Sequence, residues 1–580
     1  MAKQSTISSN ASLLLHANWR QCFYWIAAAL ISFFIVTYPS AAVALLGEKY
    51  ATQRVAQMAL LLMVGILTLL WCIHNLVEVA RAYLEQQRQQ HGKTFPPIAP
   101  NAISRNRTLL NILPLDSDWL LIAIAILGFI SSLLAAHIEF ALLEWSYTVL
   151  LVSLAYAVSH WLQTNQTKHW QQLLAITVLA SLGIYFVLTI VYWIASLSNS
   201  YRYSTEVLFD IGFENMRFAA GYQILLLPLL FWLSQIDDGW IRRYRFVIYT
   251  LSGFCLMLCA VTQSRGTVLF IGGATILVAY INLRALKTWM RFLFISSIVG
   301  VALGLAMFWL PPRFGWILDI PGLRTSLANA TTLSMRDEIW LIAISHIYSS
   351  PIWGIGPMHF AAFDNLGHGA HPHNIYLQIW AEWGSISFVL WLCVLFIALR
   401  KFINHTKFIF TGLDSNNATN NKLPSQNHYL ISVVLAAAYG GILFFGLVDG
   451  LFVYPVTQVI IAMLVGLGIG ITRLVSANFA AANKVNINTE FEPVSANKKP
   501  SFWCYPLKIL CVMTLMFTST VSVIKIVPLQ IPDTLFNEDN YAESGLAYPL
   551  TPRFWRQGWF NYETAPRRKI EHEAKHKPKP

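Results

Sequence analysis

Two histidines flank a proline in His371-Pro372-His373-Asn374, and Arg336, Asp337, Asp364, Gln378 and Glu382 stand within the same polar stretch. A neutral imidazole takes a proton from a hydroxyl near neutral pH, which suits His373 or His371 to general-base work. The pair could also ligate a metal, but no Asp or Glu at close spacing completes a ligand set, so no metal and no cofactor is expected. Charged residues make up 12% of this 580-residue chain. In so apolar a sequence, a local gathering of imidazole, guanidinium and carboxylate marks a site.

Local signals say how such a site would be built. Pro372 disfavours helix at His371, so a helix is expected to begin near Asn374. Asn374, Gln378 and Glu382 then recur every fourth residue and form a polar stripe on an otherwise apolar helix. Asn374 either orients a sugar hydroxyl or caps its helix. Gln378 and Glu382 either meet a substrate or form a solvated stripe at a membrane surface. Gly354-Ile355-Gly356-Pro357 reads as a turn that brings the helix beginning at Arg336 towards the histidines.

Most of the remaining chain reads as membrane. Hydrophobic residues account for 56% of it and mean hydropathy is +0.52. About thirteen apolar runs are each long enough, with their flanks, to cross some 30 Å of hydrocarbon. They are Phe23–Leu46, Val55–Val77, Trp119–Ala135, Phe140–Leu162, Leu173–Leu197, Phe218–Leu233, Phe246–Val261, Thr267–Leu283, Phe292–Leu310, Ile386–Leu399, Tyr429–Leu447, Tyr454–Ile471 and Leu507–Val527. The fold class expected is therefore all-α, a polytopic integral membrane protein of about 12–13 spans. Its large helical outward loop is 311–382, inside a transmembrane domain 1–527. No cleavable signal peptide precedes the first run, which is expected to stay as an anchor. The polar segments Arg81–Asp118, Gly412–Asn427 and Ser476–Lys499 read as inward linkers, the last two disordered. The segment Ser198–Met216 reads as outward, and so does the tail 528–580, aromatic at Pro552–Tyr562 and with a basic, disordered end.

Lys and Arg orient the bundle. With the N-terminus inside, 23 basic residues before the tail fall in inward segments and 8 in outward ones. The net charge of +12 is largely this topology signal and is no argument for nucleic acid. The seven cysteines lie in or beside spans, which speaks against disulfides and zinc. Three arginines run against the bias: Arg217, Arg265 and Arg336 all stand at the outward boundary, level with His373. Each alone is explained by snorkelling or helix capping. Together they suit a diphosphate, because guanidinium stays charged and binds phosphate oxygens in bidentate fashion. A polyprenyl diphosphate would place its diphosphate at this depth and its tail among the spans.

Asn215-Met216-Arg217, Ser264-Arg265-Gly266, Arg336 with Trp340, Gly354-Ile355-Gly356-Pro357-Met358-His359-Phe360, His371-Pro372-His373-Asn374, Leu377-Gln378 and Glu382-Trp383-Gly384 together resemble the O-antigen ligase superfamily. This superfamily takes in lipopolysaccharide O-antigen ligases, Wzy-type polymerases and bacterial protein O-oligosaccharyltransferases. The likeness is most specific over Arg336–Gly384 and weaker over Asn215–Gly266. As architecture it covers roughly residues 20–475.

The resemblance implies a metal-independent inverting glycosyltransferase that uses an undecaprenyl-diphosphate-linked glycan at the periplasmic face of a Gram-negative inner membrane. It implies that His373 is the essential histidine and that the outward arginines hold the diphosphate. Catalytic roles are thus expected of His373, Arg336 and Arg265, and substrate contacts of Arg217, His371, Asn374, Gln378 and Glu382. Ligation to lipid A–core leads, followed by polymerisation of repeat units and then protein glycosylation, since the aromatic tail lacks the extra region of many protein-directed members. From another class, a lipid-linked oligosaccharide transporter would carry ionisable groups near the midplane and an internal repeat. Here charge gathers at the boundaries and no repeat is visible.

Overall fold

A computed structural model describes residues 28–36, 115–164, 167–198, 213, 216–237, 239–313, 336–362, 371–414, 426–448 and 450–486. The runs Val55–Val77 and Leu507–Val527, the tail 528–580, Arg81–Pro114 and Asp364 lie outside the described residues, as does nearly all of Ser198–Met216. Within them the chain is helical, with no strand. Eight helices are long and apolar enough to cross a membrane, and two shorter apolar helices accompany them. This is the all-α polytopic architecture that the apolar runs predict.

After a helical segment at 28–36, we number the main helices α1 (Leu115–Leu133), α2 (Ile138–Thr164), α3 (Thr167–Ser198), α4 (Met216–Gln235), α5 (Arg245–Thr262), α6 (Arg265–Ile281), α7 (Leu283–Gly304), α8 (Arg336–Ser349), α9 (Ile375–Asp414), α10 (Gln426–Phe445) and α11 (Pro455–Asn486). Two differ from the sequence reading. α9 runs on to Asp414 and α11 to Asn486, into segments read from sequence as disordered. Ala477, Ala480, Ala481 and Ala482 explain the second extension, since alanine is the best helix former and carries a helix past the end of its apolar run. Asn282 alone separates α6 from α7; its Oδ1 accepts from the backbone N–H of Arg284 and Ala285 at 2.8 and 3.0 Å, capping α7.

Lipid offers no hydrophobic drive between helices, so the bundle relies on close fit. α6 and α10 cross antiparallel through Gly273 and Gly440. A Cβ on either would strike the other's carbonyl oxygen, and Gly441 gives its space to the ring of Phe270. α5 and α7 meet likewise, a Cβ on Gly253 standing 2.8 Å from the nitrogen of Gly300. α4 runs through the middle, buried from Ala219 to Ser234.

The antiparallel α6–α10 crossing sets the level of Arg265. Eight residues, about 12 Å of helix, separate it from Gly273, so it stands beside the C-terminal end of α10. Arg217 lies one turn before Gly221, whose Cβ position is 3.3 Å from Phe445 and 3.5 Å from Leu451. The N-terminal ends of α4 and α6 and the C-terminal end of α10 therefore share one end of the bundle. Arg242 and Arg245, which pair with Asp237 at 3.7 and 3.6 Å, lie in the α4–α5 connection, at the opposite end of α4 from Arg217, where exposed pairs add little stability.

α9 is broken near its N-terminal end. Gly384 has φ 79° and ψ 169°, a conformation nearly confined to glycine. The break interrupts the helix ladder, and the turn Pro351–Gly356 fills it. Ile355 and Gly356 donate backbone N–H to the carbonyls of Ala381 and Glu382 at 2.9 and 3.0 Å, while Ser385 N–H goes to Pro351 O at 2.9 Å. The two backbones are in contact: a Cβ on Gly384 would overlap the carbonyl of Ile352, and one on Gly354 that of Glu382.

Gly384→Ala is expected to combine that overlap with a disfavoured dihedral and lower stability by on the order of 1–3 kcal/mol. Thermal unfolding followed by fluorescence-detected size exclusion measures it. Gly272→Ala is the control: its Cβ would meet nothing within 4 Å, so melting should be unchanged or higher.

Candidate functional site

The histidine turn rests on the ends of two other elements. Ile375, the first residue of α9, donates its N–H to Gly446 O at 2.9 Å, just past α10, and the Tyr376 hydroxyl donates to Leu443 O at 3.1 Å. A helix N-terminus thus meets a helix C-terminus, and groups that either end leaves without an intrahelical partner are satisfied by the other. Asn374 caps α9, its Oδ1 accepting from the N–H of Tyr376 and Leu377 at 3.0 and 3.1 Å. The cap uses the oxygen, so a sugar hydroxyl would have to be met by Nδ2.

His373 sits at φ 51°, a left-handed conformation unusual outside glycine. Backbone strain of this kind gathers at functional sites. Its N–H donates to Nδ1 of His371 at 3.2 Å, and the ring centroids are 4.1 Å apart. An imidazole that accepts at Nδ1 carries its proton on Nε2. His371 is buried, and its Nε2 edge packs on Gly450, where a Cβ would stand 3.1 Å away. His373 is half-buried and is the more open of the two.

Arg336 joins this turn through Trp340. The indole Nε1–H donates to Pro372 O at 2.9 Å, between the two histidines. Arg336 is one turn before Trp340, on the same side of α8. Ile339, Ala343 and Phe360 form a small core under α8, with Leu377 of α9 packed against it. Arg336 itself is 9% exposed although it opens its helix. A cation there works against the helix dipole, and Asp337 and Glu338 bring carboxylates to the same first turn.

Gln378 and Glu382 follow Asn374 on one side of α9, and both are buried. The Glu382 carboxylate accepts the N–H of Phe360 at 3.0 Å, and its backbone carbonyl accepts from Ser131 Oγ at 3.2 Å as well as from Gly356. It holds the Gly354–Phe360 segment on α9 and on α1. The stripe expected to be solvated or to face a ligand is enclosed by the protein at these two positions. Arg217 is exposed and Arg265 half-buried, each at the first turn of its helix and at the same end of the bundle. Arg336 and the histidines form one unit, and Arg265 and Arg217 flank it through α10. Among the described residues, no group of three or more His, Cys, Asp or Glu could hold a metal.

Two contributors have no role in the sequence reading. His359 is fully buried; its Nδ1–H donates to Pro357 O at 3.0 Å, and Nε2 accepts the N–H of His137 at 2.9 Å. It ties the turn to the α1–α2 hairpin. Gly446 and Gly450, in the short α10–α11 connection, seat Ile375 and His371. Nothing near them in sequence signals that seat, because their partners lie 71 and 79 positions away.

Residues 250–392 match the family model described as O-Antigen ligase. That stretch runs from α5 into α9 and includes Arg265, Arg336 and the histidine turn. Arg217 falls outside it. No curated protein matches the chain.

Glu382→Leu is expected to leave the Phe360 N–H buried without an acceptor, a cost of about 1–3 kcal/mol, while Glu382→Gln keeps an acceptor oxygen. Melting of the purified variants should fall clearly for Leu and little for Gln. Equal losses would show that the negative charge, and not the acceptor, holds the segment.

Proposed function

From the likeness of residues 250–392 to the O-antigen ligase family model, we propose that this chain belongs to the O-antigen ligase superfamily and transfers a glycan from undecaprenyl diphosphate to an acceptor hydroxyl. The reaction takes place at the periplasmic face of a Gram-negative inner membrane, and the acceptor is lipid A–core. The observation that carries this reading is the Trp340–Pro372 hydrogen bond, which joins the helix opening at buried Arg336 to the turn holding His373.

In this mechanism the acceptor oxygen attacks the anomeric carbon from the face opposite the diphosphate. The new C–O bond forms as the bond to the phosphate oxygen breaks, so the anomeric configuration inverts. The hydroxyl proton passes to His373. Undecaprenyl diphosphate leaves with the bonding electrons, and Arg336, Arg265 and Arg217 meet its charge, so the step requires no divalent cation. His371 holds the turn, and Asn374, with its Nδ2 left over from capping, lines the acceptor side. Glu382 keeps the frame in place.

The reading is tested in a strain that lacks the gene, complemented with plasmid-borne variants, by a gel of its lipopolysaccharide. Loss of all capped lipopolysaccharide on deletion is expected. A single-repeat band would instead mean a polymerase, and loss of a glycoprotein a protein transferase. Arg217→Lys, Arg265→Lys and Arg336→Lys keep the charge but lose the bidentate fork. Each is expected to cut transfer roughly tenfold to a hundredfold, the worth of a hydrogen bond to a charged group. Full capping by all three would reduce these arginines to anchors.

A further inference from the structure

α8 carries more apolar surface than its packing uses. Ile339, Ala343 and Ile347 face the core. Leu341, Ile344 and Tyr348 are exposed, at 66%, 37% and 81%. At 100° per residue these three fall in a separate stripe about 60° wide, which exposed Asp337 opens at the N-terminal end of the helix and which is apolar from Leu341 onward. Glu338, Ser345 and Ser349, also exposed, make a third, polar side. A helix between protein and water needs two kinds of face. A third face, apolar and unburied, belongs to a helix at the meeting of protein, water and lipid.

The stripe continues beyond the helix. Ile352 and Trp353 follow it, exposed at the turn whose backbone packs on Gly384. From that contact the exposed surface passes to Ile386 and Val389 of α9. The stretch Ile375–Lys407 of α9 is long and apolar enough to cross a membrane, and only 11% of its most apolar window is buried among the described residues. One apolar surface therefore runs from a membrane-spanning helix onto α8, with Tyr348 and Trp353 at its outer part, the residue types favoured at membrane–water boundaries.

We propose that α8 is an interfacial helix: the Leu341–Ile344–Tyr348 stripe lies in the acyl–headgroup boundary of the outward leaflet, and Glu338, Ser345 and Ser349 face water. The occupant of this surface is lipid. The helix's other end is Arg336, so docking would fix that guanidinium at headgroup depth, where a lipid-borne diphosphate arrives. The inference rests on the spanning helices and the exposed stripe, and it holds or fails independently of transfer activity.

Single spin-labelled cysteines at 341, 344, 345, 348 and 349, in the full chain with its native cysteines replaced, test it in phosphatidylethanolamine–phosphatidylglycerol nanodiscs. All five positions are exposed, so the labels fit without repacking. Collision rates with oxygen and with a water-soluble nickel chelate give the depth of each label. Labels at 341, 344 and 348 are expected to favour oxygen several-fold over those at 345 and 349. Equal access of the nickel chelate to both sets would overturn the proposal by placing α8 in water. Immobilised labels at 341 and 348 that neither reagent reaches would also overturn it, because protein would then cover the stripe. The assay uses no glycan donor, so its failure is distinct from a failure of the transferase reading.

Discussion

A helix that breaks must give its freed carbonyls new partners, and in a membrane protein the cost of not doing so is several kcal/mol per group. The break of α9 at Gly384 and the turn Pro351–Gly356 solve this together. Ala381 and Glu382 give their carbonyls to Ile355 and Gly356, and Ser385 gives its N–H to Pro351. This exchange brings the two backbones into contact through Gly354 and Gly384. From it follow the seat of His359 against the α1–α2 hairpin, the acceptor role of Glu382, and the approach of α8 to the histidine turn. With the Trp340–Pro372 hydrogen bond, it joins the helix of Arg336 to the turn of His373.

The second constraint is electrostatic. Arg336 stands buried at the positive end of its helix, where a cation is disfavoured. Such a position is tolerable when anionic charge is supplied nearby, by a residue or by a ligand. On the other side of the turn, His371 gives up Nδ1 as an acceptor to the His373 backbone. His373 is the more exposed of the two, in a backbone conformation that the surrounding contacts must hold.

Much of this was legible in the sequence because the signals were local. Apolar runs of sufficient length marked the spans, and Pro372 followed by Asn374 marked where α9 begins and what caps it. Gly354 and Gly356 marked a turn, and both have positive φ. What the turn docks on was not legible: Gly384 stands in the motif Glu382-Trp383-Gly384 with nothing to show a broken helix there, and its pairing partner is some thirty residues away. Gln378 and Glu382 were legible as a polar stripe but not as buried groups, because the segment covering them arrives from elsewhere in the chain. The apolar outer side of α8 was likewise hidden, since Leu341, Ile344 and Tyr348 are mixed in sequence with the residues of its core face.

The claim at the centre is that the turn held by this exchange presents His373 as the base for transfer to a hydroxyl. It is tested most directly by the transfer rate of purified His373→Ala in proteoliposomes containing EDTA, with donor binding measured on the same samples. The expected rate is ~10²–10⁴-fold below that of the parent protein, the contribution of a positioned general base, with donor still bound. A rate near that of the parent would contradict the claim.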